Sequence, residues 1–134
     1  MARDPHCDGL PEATSFTASE RLALVRTAMA VLQRWNVGDE TARAILGDLP
    51  AAIYRRWQKN NVGAIAPDVA YRLLLVLKIH AALRTRYSDP DRSVAWINRP
   101  NALFAHQSPL AIMTRDVASI ERVLRYLVAD QSAW

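Results

Sequence analysis

The stretch "TASERLALVRTAMAVLQRW", residues 17–35, carries the pattern that decides the fold class. The Thr17 side chain can accept a hydrogen bond from the backbone N–H three residues later, and the Glu20 carboxylate can reach back to the Thr17 N–H. This reciprocal capping box predicts a helix start. Apolar residues then recur at helical spacing in two stripes, so the predicted helix has partners on two sides and is central to the fold. The stripes are Leu22, Val25, Met29 and Leu32, and Leu24, Val31 and Trp35.

Helical signals continue along the rest of the chain. A long helix is predicted over residues 67–87, with Leu73, Val76, Leu77, His80 and Ala81 on its inner face. Asp39 and Asp116 are each predicted to cap a helix, and further helices are predicted to begin at Pro50, after the turn 88–91, and at Ser108 and Pro109. No segment alternates apolar and polar residues over the length of a strand. We therefore predict an all-α fold, preceded by a flexible arm over residues 1–16.

Composition narrows the class of protein. With 134 residues, 51% of them hydrophobic and 22% charged, the chain can bury the core of one compact globular body. The single cysteine, Cys7, permits no intramolecular disulfide and favours the reducing cytoplasm. Arg3, Asp4 and Asp8 interrupt any apolar run at the N-terminus, so we expect no signal peptide. The apolar run over residues 73–77 is closed by Lys78, so we expect no membrane span.

Positive charge is concentrated in the middle of the chain. Residues 49–88 carry seven basic residues and one acid, whereas residues 1–48 are net negative and residues 89–134 are neutral. A basic patch of this kind attracts polyanions, although a charged run is also often a solvated surface. Contact with nucleic acid and a simple surface role both remain open at this stage.

Residues 39–59 have the layout of a helix-turn-helix, in which a support helix and a tight turn precede a helix that enters the major groove. On a helical wheel of the second helix, the inward face carries Ile53, Tyr54 and Trp57. Its outer face carries the candidate DNA contacts Arg55, Arg56, Gln58 and Lys59. The sequence departs from the motif in two places. Arg43 stands where a small residue is usual, and Trp57 follows Ile53 by four residues where three is commoner. The alternative is a retained fold without a DNA role.

The stretch "AWINRPNALFAHQSPLAIMTR", residues 95–115, combines a Trp, an Arg-Pro-Asn triplet, an apolar pair, a polar loop and a Pro-Leu pair. An amphipathic helix follows. Over residues 94–128 this pattern resembles the toxin-binding domain of the MbcA/ParS/Xre antitoxin family. The family often has a glycine pair where this chain has "FAHQ". The matching residues are Trp96, Ile97, Arg99, Pro100, Asn101, Leu103, Phe104, Pro109 and Leu110, followed by Val123 and Leu124.

The resemblance implies an antitoxin that binds a RES-domain toxin, an enzyme that destroys NAD⁺, and blocks its active site. It also implies binding to operator DNA and assembly as a homodimer or a larger toxin–antitoxin complex. Residues 17–87 would then form an Xre-like helix-turn-helix domain, continuous with a small helical toxin-binding domain over residues 88–134. The alternatives are a stand-alone helix-turn-helix regulator of transcription and a protein-interaction adaptor that does not bind DNA.

The cationic last helix and the chain end are the predicted toxin-facing surface. A terminal tryptophan is a good interface anchor, so one hypothesis has the tail entering the toxin's cleft. The alternative folds Trp134 back onto Leu127 and Val128. The predicted toxin contacts are Arg115, Arg122, Arg125, Gln131 and Trp134.

No pattern in the sequence indicates catalysis. His6, Cys7 and Asp8 lack the spacing of a metal site, and His80 is predicted to be a hydrogen-bonded core histidine. His106 lies near Ser108 without an acid in a triad arrangement. No phosphate-binding glycine loop is present. We therefore expect no enzyme activity, no cofactor and no metal.

Overall fold

The computed structural model describes residues 16–132, with side chains as far as residue 129. Within these residues the chain forms seven α-helices and one 3₁₀ turn, and no strand, so the all-α prediction is confirmed. The elements are α1 Ala18–Arg34, α2 Asp39–Ile45, α3 Ala51–Gln58, α4 Pro67–Arg86, α5 Pro90–Asn98, the 3₁₀ turn Ala102–Phe104, α6 Pro109–Met113 and α7 Val117–Ser132. The predicted arm lies outside the described residues except for Phe16, which packs against the core.

Capping side chains set where the helices begin. At α1 the Thr17 N–H donates to Glu20 Oε1 at 2.8 Å, and the Glu20 N–H donates to Thr17 Oγ1 at 3.1 Å, which confirms the capping box. Asp89 and Ser108 cap α5 and α6. The prediction that Asp39 caps α2 is wrong. The extended backbone falls one residue earlier, at Gly38, so Asp39 is the first helical residue.

Helix α4 is the centre of the core, because it packs on α7 along one side and on α1 along another. Leu73 and Val76 are buried, as predicted. Ala81 is exposed, so its predicted place on the inner face is wrong. A helix with two partners buries a wider face than a single stripe. That face also includes Leu75, Ile79, Ala82 and Leu83.

Candidate functional site

Helix α3 presents a cationic face to solvent. Tyr54 and Trp57 are buried and Ile53 is half-buried, as the helical wheel predicted, and these side chains attach α3 to the body of the protein. Burial, together with the nearby Asp39 carboxylate, raises the pKa of Tyr54 and keeps its hydroxyl protonated. The four predicted DNA contacts all lie exposed on or directly after this helix: Arg55, Arg56, Gln58 and Lys59.

The turn between α2 and α3, residues 46–50, is tight. Gly47 has φ +91° and Asp48 has φ +59°, so the chain reverses through two left-handed residues. Arg43 Nε donates to the Leu49 carbonyl at 2.7 Å, and Arg72 Nη1 donates to the Ile45 carbonyl at 3.4 Å. Arg43 therefore has a structural role at the position where a small residue is more usual: its guanidinium holds the turn.

A groove of about 290 Å³ runs between α1 and α3. Trp57 and Gln58 line it from α3, and Arg26 and Gln33 line it from α1. The sequence reasoning missed Arg26 as a neighbour of the α3 face, because it lies in a net-negative block of the chain. Its position at the α1 polar edge was the available signal. The groove thus joins the exposed face of α3 to Arg26 of α1, and the Asp39 carboxylate also lines it.

Three aromatic rings join the C-terminal helices. Trp96 of α5 stacks on Tyr126 of α7 with ring centroids 6.0 Å apart and planes 4° apart. Phe104 meets both rings edge to face, at 6.4 Å and 6.1 Å, and is only 2% exposed. Such pairs add about 0.5–1.5 kcal/mol beyond the burial of area. The sequence reasoning missed Tyr126, because its contact with Trp96 joins two helices that are far apart in the chain.

The loop between α5 and α6 closes on itself through Asn101. The Asn101 side chain accepts from the Leu103 N–H at 2.9 Å, and its carbonyl accepts from the Phe104 and His106 N–H groups. The Asn101 N–H donates to the Gln107 carbonyl at 3.1 Å, which forms an isolated antiparallel bridge. Asn101 therefore organises the whole loop over residues 101–107, which we name the Asn101 loop.

Two consecutive residues of the Asn101 loop have left-handed backbones. Ala105 has φ 57° and His106 has φ 66°. They lie within the "FAHQ" segment. Glycine adopts this conformation without steric cost, whereas residues with a Cβ resist it. The loop thus keeps a glycine-type geometry with residues that are strained in it.

Arg122 of α7 fastens the Asn101 loop from outside. Its Nη2 donates to the Leu103 carbonyl at 2.7 Å, and its guanidinium carbon lies 5.1 Å from the Phe104 ring centroid. The Leu103 side chain is 50% exposed. Sequence reasoning took Arg122 as a toxin contact and did not foresee its contact with the loop.

The remaining motif residues divide between core and surface. Pro109 and Leu110 are buried in α6, whereas Arg99 and Pro100 are exposed.

Asp116 Oδ1 accepts from the Ser119 N–H at 2.8 Å, which confirms it as the cap of α7. Hydrogen bonding from Ser119 lowers the pKa of Asp116.

The predicted toxin contacts occupy different places. Arg115 and Arg125 are exposed. Arg115 lies in the turn before α7, so its predicted place on the last helix is wrong, because the helix starts only after the Asp116 cap. Gln131 lies in α7 with its side chain outside the described residues, and Trp134 lies outside them altogether.

His80 is half-buried beside α1 and α5. Burial lowers the pKa of His80, and the charges of Arg34 and Arg84 lower it further, so the imidazole is neutral near pH 7.

In the described part of the chain no group of His, Cys, Asp and Glu could hold a metal ion. The His6, Cys7 and Asp8 triplet lies outside that part. No described helix is long and apolar enough to cross a membrane.

The fold and the C-terminal geometry define a small all-α protein whose last third is a helical module closed by an aromatic cluster and a fastened loop. Residues 82–132 match the sequence model of a family described as the antitoxin Xre/MbcA/ParS C-terminal toxin-binding domain. The chain is also 31% identical over 102 residues to "Uncharacterized protein y4oB" of Sinorhizobium fredii (strain NBRC 101917 / NGR234), which covers 75% of this chain and 78% of that protein. The chain belongs to the Xre/MbcA/ParS antitoxin family, and its partner is a toxin.

Proposed function

We propose that this antitoxin neutralises a RES-domain toxin that degrades NAD⁺, by covering the toxin's active site with residues 88–134. The observation that carries the proposal is the match of residues 82–132 to a toxin-binding domain, on a module that is rigidly assembled around Trp96, Phe104 and Tyr126. Neutralisation by occlusion requires no catalysis, cofactor or metal in this chain. It would take place in the cytoplasm, where both NAD⁺ and the operator are found.

The toxin-facing side of the proposed interface is the cationic side of the module. Arg115 and Arg125 are exposed and have their guanidinium groups available for carboxylates on the partner. Gln131 lies in the last turn of α7, and we propose that the tail after this helix carries Trp134 into the toxin's cleft. An aromatic anchor of this type often dominates the binding energy of an interface.

Co-expression tests the antitoxin role directly. If the neighbouring gene encodes a RES-domain toxin, that toxin should arrest growth and deplete NAD⁺ when expressed alone, and co-expression of this chain should restore both. Continued arrest and NAD⁺ loss in the presence of soluble antitoxin would refute the proposal. Deletion of residues 130–134 should weaken rescue while the thermal unfolding midpoint changes little. Equal losses of rescue and stability would instead support a tail that folds back on Leu127 and Val128.

We further propose that residues 17–87 act as an Xre-like helix-turn-helix domain that binds operator DNA as a dimer and regulates the chain's own operon. Support comes from α3, where Arg55, Arg56, Gln58 and Lys59 are exposed together above a buried Tyr54 and Trp57. Arginine and glutamine can pair with guanine and adenine edges, and lysine neutralises phosphate. Arg26, across the groove, would add a further contact to phosphate if the DNA backbone runs along this side of α3.

The salt dependence of DNA binding tests this second role. Replacing Arg55 and Lys59 with Ala should flatten the plot of log K against log salt by about 0.9 for each lost phosphate contact. Arg92→Ala is the matched control, because Arg92 is an exposed arginine on α5 in the neutral block of the chain. Slopes that are equal in all three proteins would remove α3 from the interface. Absence of operator binding, with and without the toxin, would favour the adaptor without DNA binding. Operator binding without any toxin partner would favour the stand-alone regulator.

A further inference from the structure

We propose that the Asn101 loop presents Leu103 to the toxin, and that Arg122 is a positioning residue that holds this loop in shape. The inference rests on the proposed toxin binding and assigns a part of the surface to it. It also changes the role of Arg122 from a direct toxin contact to a residue that acts through Leu103. Three features of the structure carry it: loop strain, the arginine contact and the exposed apolar side chain.

The first feature is the strain in the Asn101 loop. Ala105 and His106 are both left-handed and both carry a Cβ, so the loop would relax if nothing held it. Non-glycine residues in this conformation persist where the surroundings over-determine them, and they cluster at ligand-binding sites. The Asn101 bonds close the loop at its base. A loop that is strained and closed is preorganised and loses little conformational freedom on binding.

The second feature is the way in which Arg122 contacts the loop. Its Nη2 bonds the Leu103 carbonyl at 2.7 Å, while its guanidinium lies over the Phe104 ring. A planar guanidinium suits both contacts at once, since it donates in its plane and stacks across its face. Phe104 is in turn fixed by Trp96 and Tyr126. The Leu103 carbonyl is therefore bonded to α7 by Arg122, while the adjacent Phe104 contacts the same helix through Tyr126.

The third feature is the exposure of Leu103. At 50% it is the most exposed of the large apolar side chains in the described chain, which otherwise include Tyr71, Leu74 and Val128. Leu103 lies on the short 3₁₀ turn inside the segment that matches the family. Tyr71, by contrast, donates a hydrogen bond to Glu121.

The surroundings of Leu103 indicate the chemistry of its partner. Arg122 lies behind its carbonyl, and the exposed His106 and Arg99 belong to the same loop and its approach. A leucine with cationic neighbours fits an apolar socket whose rim carries carboxylates. The occupant is therefore the toxin, bound through a hydrophobic pocket with acidic residues around it.

Inhibition of the purified RES-domain toxin in an NAD⁺ hydrolysis assay tests the role of Leu103. Leu103→Asp should raise the antitoxin concentration for half inhibition by at least about tenfold, the loss expected for an anchor residue. Leu74→Asp is the matched control, because it makes the same change at an exposed leucine, 36% accessible, on α4. Equal inhibition by the two variants, or equal losses, would overturn the inference. If the unaltered antitoxin failed to inhibit, the proposed function itself would fall.

A double-mutant cycle separates positioning from direct contact. If Arg122 acts through Leu103, then Arg122→Ala should weaken inhibition in the unaltered chain but change it by less than about twofold once Leu103 is Ala. Arg122→Lys should restore part of the loss, since an ammonium can still donate to the Leu103 carbonyl. Effects of Arg122→Ala and Leu103→Ala that simply add would overturn the positioning role. Thermal unfolding of each variant identifies any that fails to fold, and for such a variant the comparison uses Arg122→Lys.

Discussion

Substitution of Ala105 and His106 by Gly should make the protein more stable, which is the reverse of the usual effect of glycine. Both residues are left-handed, at φ 57° and 66°, and both side chains are exposed, so glycine would remove steric strain without removing packing. A left-handed backbone costs an L-residue with a Cβ about 1–2 kcal/mol. The loop would keep the same hydrogen bonds to Asn101, because they use only the backbone of His106 and its neighbours.

The net effect is smaller than the strain, because glycine also gives the unfolded chain more freedom. That freedom lowers the free energy of unfolding by about 0.4–1 kcal/mol per residue. The difference leaves a gain of about 0.5 kcal/mol for each position and about 1 kcal/mol for both. In a chain of 134 residues a gain of this size corresponds to a rise in the unfolding midpoint of about 3 °C.

The free energy of unfolding, measured by chemical denaturation, would check this gain, and the thermal unfolding midpoint gives a second measure of it. Ala118→Gly is the matched control, because Ala118 is an exposed alanine in α7 where the backbone is right-handed. There the same change should lower the free energy of unfolding by about 0.5–1 kcal/mol. Destabilisation of similar size at positions 105, 106 and 118 would refute the argument that the Asn101 loop is strained.

Three further predictions concern the body of the fold. Thr17→Ala should lower the free energy of unfolding by about 1 kcal/mol in urea denaturation, since the α1 capping box would be lost, and Thr17→Ser should restore most of it. Gly47→Ala should cost about 1–2 kcal/mol by the same measurement, because φ is +91° and a Cβ would lie 3.2 Å from Arg72 Nε; a neutral result would contradict the left-handed turn. His80 has a lowered pKa in the folded state, so the unfolded chain binds more protons and stability should fall as the pH drops below about 6.5. A His80→Gln variant should lose that part of the pH dependence, and an unchanged profile would contradict it.

Much of the secondary structure follows from the sequence because it depends on near neighbours. The Thr17 and Glu20 box spans three residues, and the caps at Ser108 and Asp116 are equally local. The inward set on α3 also follows from helical spacing alone. Asp39 shows the limit of such reasoning, since two adjacent residues could cap α2 and the backbone at Gly38 decides between them.

The site depends instead on contacts between residues far apart in the chain. Arg122 reaches a carbonyl 19 residues away, and Tyr126 completes a cluster with Trp96 on another helix, so neither role is visible in a local pattern. Ala105 and His106 carry no signal for a left-handed backbone, because that conformation is imposed by the closed loop around them. The sequence by itself determined the helices, their inner faces and the family motif. Only the packing of α7 against α4 and the Asn101 loop decided which arginine faces solvent and which one holds the loop, because packing brings together residues that no sequence period connects.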